Sequence, residues 1–155
     1  MKNNNLKNTN PKDAIGCDKL PVHLFPTTAK YYCCLALLDG ALKYGRSNWR
    51  SAGVRASIYY DAIYRHLDRW FEGEDTDPDS GLPHLAHIIA CVSILIDATV
   101  KGNLKDDRMY PTKFDDMLKN LTPHVKRLKE LHKNKNPKHW TIEDVKKCVT
   151  KRKKT

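Results

Sequence analysis

Residues 82–102 read LPHLAHIIACVSILIDATVKG. Apolar side chains occupy nearly every side of this run. Pro83 falls in the first turn, where a missing N–H costs nothing, and Gly102 closes it. A helix that is apolar all round belongs inside a helical protein, so this segment is expected to be the central, most buried helix.

Reading outward, the neighbouring segments are also helical. TTAKYYCCLALLDGALKYG (27–45) carries Ala, Leu and Cys from a threonine cap, Thr27 or Thr28, to a stop at Gly45. VRASIYYDAIYRHLDRWFEG (54–73) has an apolar stripe of Tyr59/Tyr60, Ile63, Leu67, Trp70 and Phe71 at helical spacing. Asp61, Arg65, Asp68 and Glu72 occupy its opposite face. GRSNWRSAG (45–53) reads as a connection. FDDMLKNLTPHVKRLKELHK (114–133) reads as a helix interrupted or kinked at Pro123, and WTIEDVKKCV (140–149) as a short last helix. No segment alternates with period two for long enough to make a convincing strand. The expected architecture is all-α: an N-terminal arm (1–26), a helical core (27–111) and a C-terminal helical extension with a basic tail (112–155).

Composition narrows the class. At 155 residues the chain has room for one core, and an oligomer would help to stabilise it. No stretch approaches the ~18–20 apolar residues of a membrane span, and MKNNNLKNTN has no apolar signal core, so a cytoplasmic location is expected. The five cysteines contain no CxxC pair and read as buried free thiols. The net charge of +10 is uneven: residues 119–155 hold 13 Lys+Arg against 3 acids, whereas residues 1–118 balance 15 against 15. Basicity therefore belongs to a tail ending KKCVTKRKKT, through which only weak polyanion binding is expected.

Two stretches carry chemistry. EGEDTDPDSG (72–81) places five carboxylates within eight residues, followed at once by His84 and His87, three apart on one helix face. His66 reaches the same region if the helices on either side of this short loop pack antiparallel. Imidazoles and carboxylates crowded in this way suit a divalent cation. The bland reading is a solvated loop before a helix with core histidines. KYGRSNWR (43–50) combines phosphate-seeking Lys43, Arg46 and Arg50 with the aromatic faces of Tyr44 and Trp49, and Asn48 can read base or sugar edges. The bland reading there is a helix end whose basic residues answer its dipole. A cation site beside a basic–aromatic site makes a nucleotide the obvious shared ligand.

The series NPKDAIG…KLP, ALLDGALKYGRSNWR, DAIYRHL, GEDTDPDSGLPHLAH and DDRMYP, in this order from about Asn10 to Pro111, resembles the phage-borne dATP/dGTP diphosphohydrolase family. That family includes the MazZ enzymes, relatives of the all-α MazG nucleoside triphosphate pyrophosphohydrolases. The resemblance implies a MazG-like helical bundle, a homo-oligomer (dimer or tetramer), and a cytoplasmic enzyme, in the host cytoplasm if phage-encoded. It implies Mg²⁺- or Mn²⁺-dependent cleavage of dATP or dGTP to the monophosphate and pyrophosphate. Carried residue by residue, its KYGxxNW element falls on Lys43, Tyr44, Gly45, Asn48 and Trp49, its RH and SGxxHxxH elements on Arg65, His66, Ser80, Gly81, His84 and His87, and its acidic segment on Glu74, Asp75, Asp77 and Asp79. By the chemistry of these groups and of Arg46, substrate binding is expected of Lys43, Tyr44, Arg46, Asn48, Trp49 and Arg65. Metal binding falls on His66, Glu74, Asp77, Asp79, His84 and His87, and catalysis on His84, His87 and Asp79. MazG proteins use ExxE and ExxD where this chain offers Asp61, His66 and HxxH, so the cation-binding details of MazG do not transfer wholesale. The competing expectation is a protein that sequesters a nucleotide or nucleotide messenger without cleaving it.

Overall fold

The computed structural model describes residues 10–144. In chain order its elements are α1 (Pro11–Gly16), a 3₁₀ turn (Val22–Leu24), α2 (Thr27–Tyr44), α3 (Asn48–Ala52), β1 (Val54–Arg55), α4 (Ala56–Phe71), α5 (His84–Lys101), β2 (Leu104–Lys105) and α6 (Phe114–Leu131). The all-α architecture is the expected one. It also contains details the sequence did not announce. The connection 45–53 contains α3, and two-residue β1 and β2 pair in parallel, Val54 with Leu104 and Arg55 with Lys105. The described residues form two compact units, divided between Asp107 and Arg108. The first unit holds α1 to α5; α6 lies in the second. Of the short helix expected at 140–149, residues 142–144 are helical, Trp140 and Thr141 are not, and 145–149 lie outside the described residues, as does KKCVTKRKKT.

α5 organises the first unit, packing against α4, α2 and α3. α4 and α5 run antiparallel: His66, late in α4, meets His84 at the start of α5, while Tyr59 lies near Cys91 further along. Where α2 meets α5, small side chains let the helices approach: Cys33 and Ala36 against Ala86 and Ala90, flanked by Leu37, Leu82 and Ile89. By length and composition α5 could cross a membrane, but here it is the packing centre of this unit.

Several expectations need correction. α5 is central but not buried all round, since Leu85, Val92, Ile96 and Val100 remain exposed. On α4, Tyr60, Leu67, Trp70 and Phe71 are likewise exposed, because its inward face runs through Tyr59, Ala62 and His66. Of the thiols, only Cys33 is buried; Cys17 and Cys34 are exposed, Cys91 is half-buried, and Cys148 lies outside the described residues. Neither threonine caps α2, whose N-cap is Pro26. Pro83 is the N-cap of α5, not its first-turn residue.

Candidate active site

Gly45, at φ 91°, ends α2 and turns the chain so that α3 comes to lie beside α5. Trp49 of α3 then donates its indole N–H to Asp97 Oδ2 at 2.7 Å. Arg50 grips the same carboxylate with two bonds, Nε to Oδ2 and Nη2 to Oδ1, each 2.7 Å. These bonds pull Asp97 from an ordinary 3.8 down to about 2, the Arg50 bond contributing most and the Trp49 bond next. The indole is thereby held as one wall of a cavity of about 610 Å³ between α2, α3, α4 and α5.

The acidic loop closes the other end. Asp77 N–H donates to Leu82 O at 2.9 Å and Gly81 N–H to Asp77 O at 2.8 Å, folding the loop back on itself. Asp77, 8% exposed, accepts the Ser80 hydroxyl at 2.8 Å and the Ser80 N–H at 3.2 Å. Burial alone would push Asp77 up, but these bonds and the nearby His87 and His66 hold it below its ordinary value. It is therefore a carboxylate that only accepts. The hydroxyl of Ser80 spends its single proton on Asp77, so its 2.8 Å contact with His87 Nε2 must be donated by the imidazole. The proton on Nε2 of His87 is thus fixed, and in the neutral ring the lone pair is on Nδ1.

His66 stacks on His87, ring centres 4.7 Å apart and planes 10° from parallel. Burial, then His87 and His84, lowers the pKa of His66, so this imidazole is neutral at pH 7. Its Nδ1 lies 2.8 Å from Nδ1 of His84, which is fully buried. One ligand atom each from His66, Asp77 and His84 lie within 4.8 Å of one another. The donor set fits a divalent cation on two further observations. Two nitrogens bound cis to one ion at about 2.1 Å sit about 3 Å apart, close to the observed spacing. Nε2 of His84 is buried without a hydrogen-bond partner, its nearest carboxylate oxygen being Glu74 Oε2 at 3.9 Å. With Nδ1 facing an ion, that Nε2 would carry the proton, and the Glu74 carboxylate is the nearest group that could receive it on a small approach.

The cavity gathers most of the residues expected from sequence: Lys43, Tyr44, Asn48, Trp49, Arg65, His66, Asp77, Asp79 and His87 line it. Three of the expected residues fall elsewhere. Arg46 is exposed and does not line the cavity, because the turn at Gly45 carries it away. His84 lies behind His66, not on the surface. Glu74 is largely exposed, outside the His66–Asp77–His84 group, and stands 4.0 Å from Arg69 Nε. Two charged wall residues were missed. Asp39 accepts Lys43 Nζ at 2.8 Å, an i,i+4 pair that raises the lysine pKa chiefly through that bond. Arg69 reaches toward Asp77, Nη1 to Oδ1 3.7 Å. Each lies one helical turn from a residue already singled out, Lys43 and Arg65, which was the available signal.

Comparison with known proteins gives the family. Residues 9–108 match the family described as dATP/dGTP diphosphohydrolase, N-terminal. A relative named dATP/dGTP diphosphohydrolase, from Salmonella phage PMBT28, is 28% identical over 92 residues, covering 59% of this chain and 31% of the relative. The matched stretch thus spans under one third of that relative's length. No solved structure matches the chain. The cavity and every residue assigned to it fall inside the matched region, and by that match the chain belongs to the dATP/dGTP diphosphohydrolase N-terminal family.

Proposed function

We propose that the chain hydrolyses a deoxypurine nucleoside triphosphate, dATP or dGTP, to the monophosphate and pyrophosphate, and that it works as a homo-oligomer in the cytoplasm. The observation that carries this reading is the meeting, in one cavity, of an aromatic–basic wall (Trp49, Tyr44, Lys43) with a histidine–carboxylate group (His66, Asp77 and His87, with His84 buried behind His66). The volume of about 610 Å³ suits a nucleotide, and the relative's name supports the substrate class.

The base stacks on Trp49, whose ring is anchored at its N–H edge and so presents a fixed face. Lys43, Arg65 and Arg69 neutralise phosphate charge, the first oriented by Asp39. A divalent cation, Mn²⁺ or Mg²⁺, would be held by His66, Asp77 and His84, and two imidazoles with one carboxylate favour Mn²⁺ over the harder Mg²⁺. When bound, it supplies charge neutralisation at the phosphates and acidifies water. His87 Nδ1 takes the proton of the attacking water, its ring held by the Ser80 and Asp77 relay. The new bond joins water oxygen to the α-phosphorus, and the bond from that phosphorus to the bridging oxygen breaks.

A nucleotide panel tests this, with Mn²⁺ or Mg²⁺, a chelator control and separate readouts for phosphate, pyrophosphate and monophosphate. Pyrophosphate with dAMP or dGMP, lost on chelation and restored better by Mn²⁺, is expected. Release of single phosphates overturns the bond assignment. A ligand-induced rise in Tm with no product assigns the chain as a nucleotide-sequestering protein instead.

A further inference from the structure

α6 (Phe114–Leu131) lies in the second unit and beyond the region matched by the family. Its apolar residues, Phe114, Met117, Leu118, Leu121, Val125, Leu128 and Leu131, recur at spacings of one, three and four and so share one side of the helix. All seven are exposed, between 39% and 63%. Pro123 falls on the opposite, polar side. A helix of this length is marginal in water by itself, and an internal proline costs it about 3 kcal/mol more. The stripe therefore needs a covering surface to remain helical.

The charges along α6 say which surface fits. Asp115 and Asp116 occupy its first turn, whereas Lys126, Arg127 and Lys129 occupy its last turns. Asp115 and Lys129 border the stripe on the same flank, two heptads apart. A second α6 laid antiparallel, about a two-fold axis near Thr122, brings Asp115 of each copy opposite Lys129 of the other while the apolar stripes meet. A parallel copy would put the two equivalent flanks on opposite sides of the seam, so that Asp115 and Lys129 would not meet. The pattern is thus self-complementary in one orientation, as an isologous contact requires.

We propose that α6 is a self-association element that pairs antiparallel with α6 of a second copy of this chain. The pairing does not depend on the proposed hydrolysis.

Light scattering on the full chain tests it. Leu121→Glu with Leu128→Glu should halve the solution mass while leaving turnover per chain unchanged. Because those changes could unfold α6, surface charge variants test orientation separately. Lys129→Glu should raise the dissociation constant about three- to tenfold, and Asp115→Lys combined with Lys129→Glu should restore it, because the swap rebuilds two opposed pairs. An unchanged mass in the leucine variant overturns the pairing; so does a fall in the Tm of the first unit at unchanged mass, which would place the stripe against the chain's own body. Failure of the charge swap to rescue overturns the antiparallel register.

Discussion

Asp97 shows how one side chain can decide the shape of a site it does not line. Its carboxylate is occupied by Trp49 and Arg50, and with its charge removed neither partner has an equal acceptor. Asp97→Asn is expected to raise the Michaelis constant for the nucleotide about tenfold with a smaller change in kcat, because a loosened indole costs binding more than chemistry. A kcat loss larger than the KM rise would detach Trp49 from the base. The same residue makes a pH prediction. Its folded pKa, about 2, lies below the ordinary 3.8, so the stability it contributes is complete above that ordinary value and is lost as pH falls toward 2. The Asn variant should show a flatter acid limb between those values in thermal melts.

At the scale of elements, short segments hold the long helices in register. Asp107 accepts the Ser57 N–H at 2.8 Å and its hydroxyl at 2.6 Å, capping the start of α4 from a distant point in the chain. β1 and β2 tie the start of α4 to the end of α5, with Val54 N–H donating to Asn103 O at 3.1 Å and Asn103 Nδ2 to Arg50 O. Gly53 permits this closeness: at φ 75° and ψ 173° it occupies a region essentially confined to glycine, and a Cβ there would stand 2.6 Å from Asn103 O. Gly53→Ala should therefore destabilise the chain by about 1–3 kcal/mol in chemical denaturation. Gly45→Ala provides the contrast: its φ of 91° is strained too, but a Cβ meets no atom within 4 Å. The difference between the two variants measures the clash by itself.

For the whole molecule, the telling feature is what fills the core. Among the described residues the buried apolar ones are Cys33, Ala36, Val54, Ala56, Ala86, Ala90 and Ala98, all small or mid-sized. Larger side chains point outward: Leu38 and Leu42 on α2 are 54% and 80% exposed, and Ile96 and Val100 on α5 are 61% and 76%. Apolar surface on this scale is what the proposed homo-oligomer would cover. The expected outcome in light scattering is a mass at least twice the chain's 17.9 kDa, reduced by Ile96→Glu together with a lower Tm. A monomeric mass in the unmodified protein would refute the oligomer.

Much of this was legible in the linear chain. Helical periodicity, the glycine stops and the short acidic loop determined four long helices and the antiparallel α4–α5 pair, because these depend on local backbone preferences and on the reach of a few residues. The motif KYGRSNWR and the histidines at 66, 84 and 87 pointed to the candidate site through residue type and crowding. What lay beyond the sequence was direction. Arg46 and Trp49 sit in the same short motif, yet only the tertiary turn at Gly45 sends one to solvent and the other to the cavity wall. Asp97 is 48 residues from Trp49, and nothing in its helix announces the bond. The burial of His84 behind His66, and the exposure of half of an apparently all-apolar helix, depend on which neighbours arrive. A side chain's type is set by its codon, but its partner is chosen by packing, which no local pattern encodes.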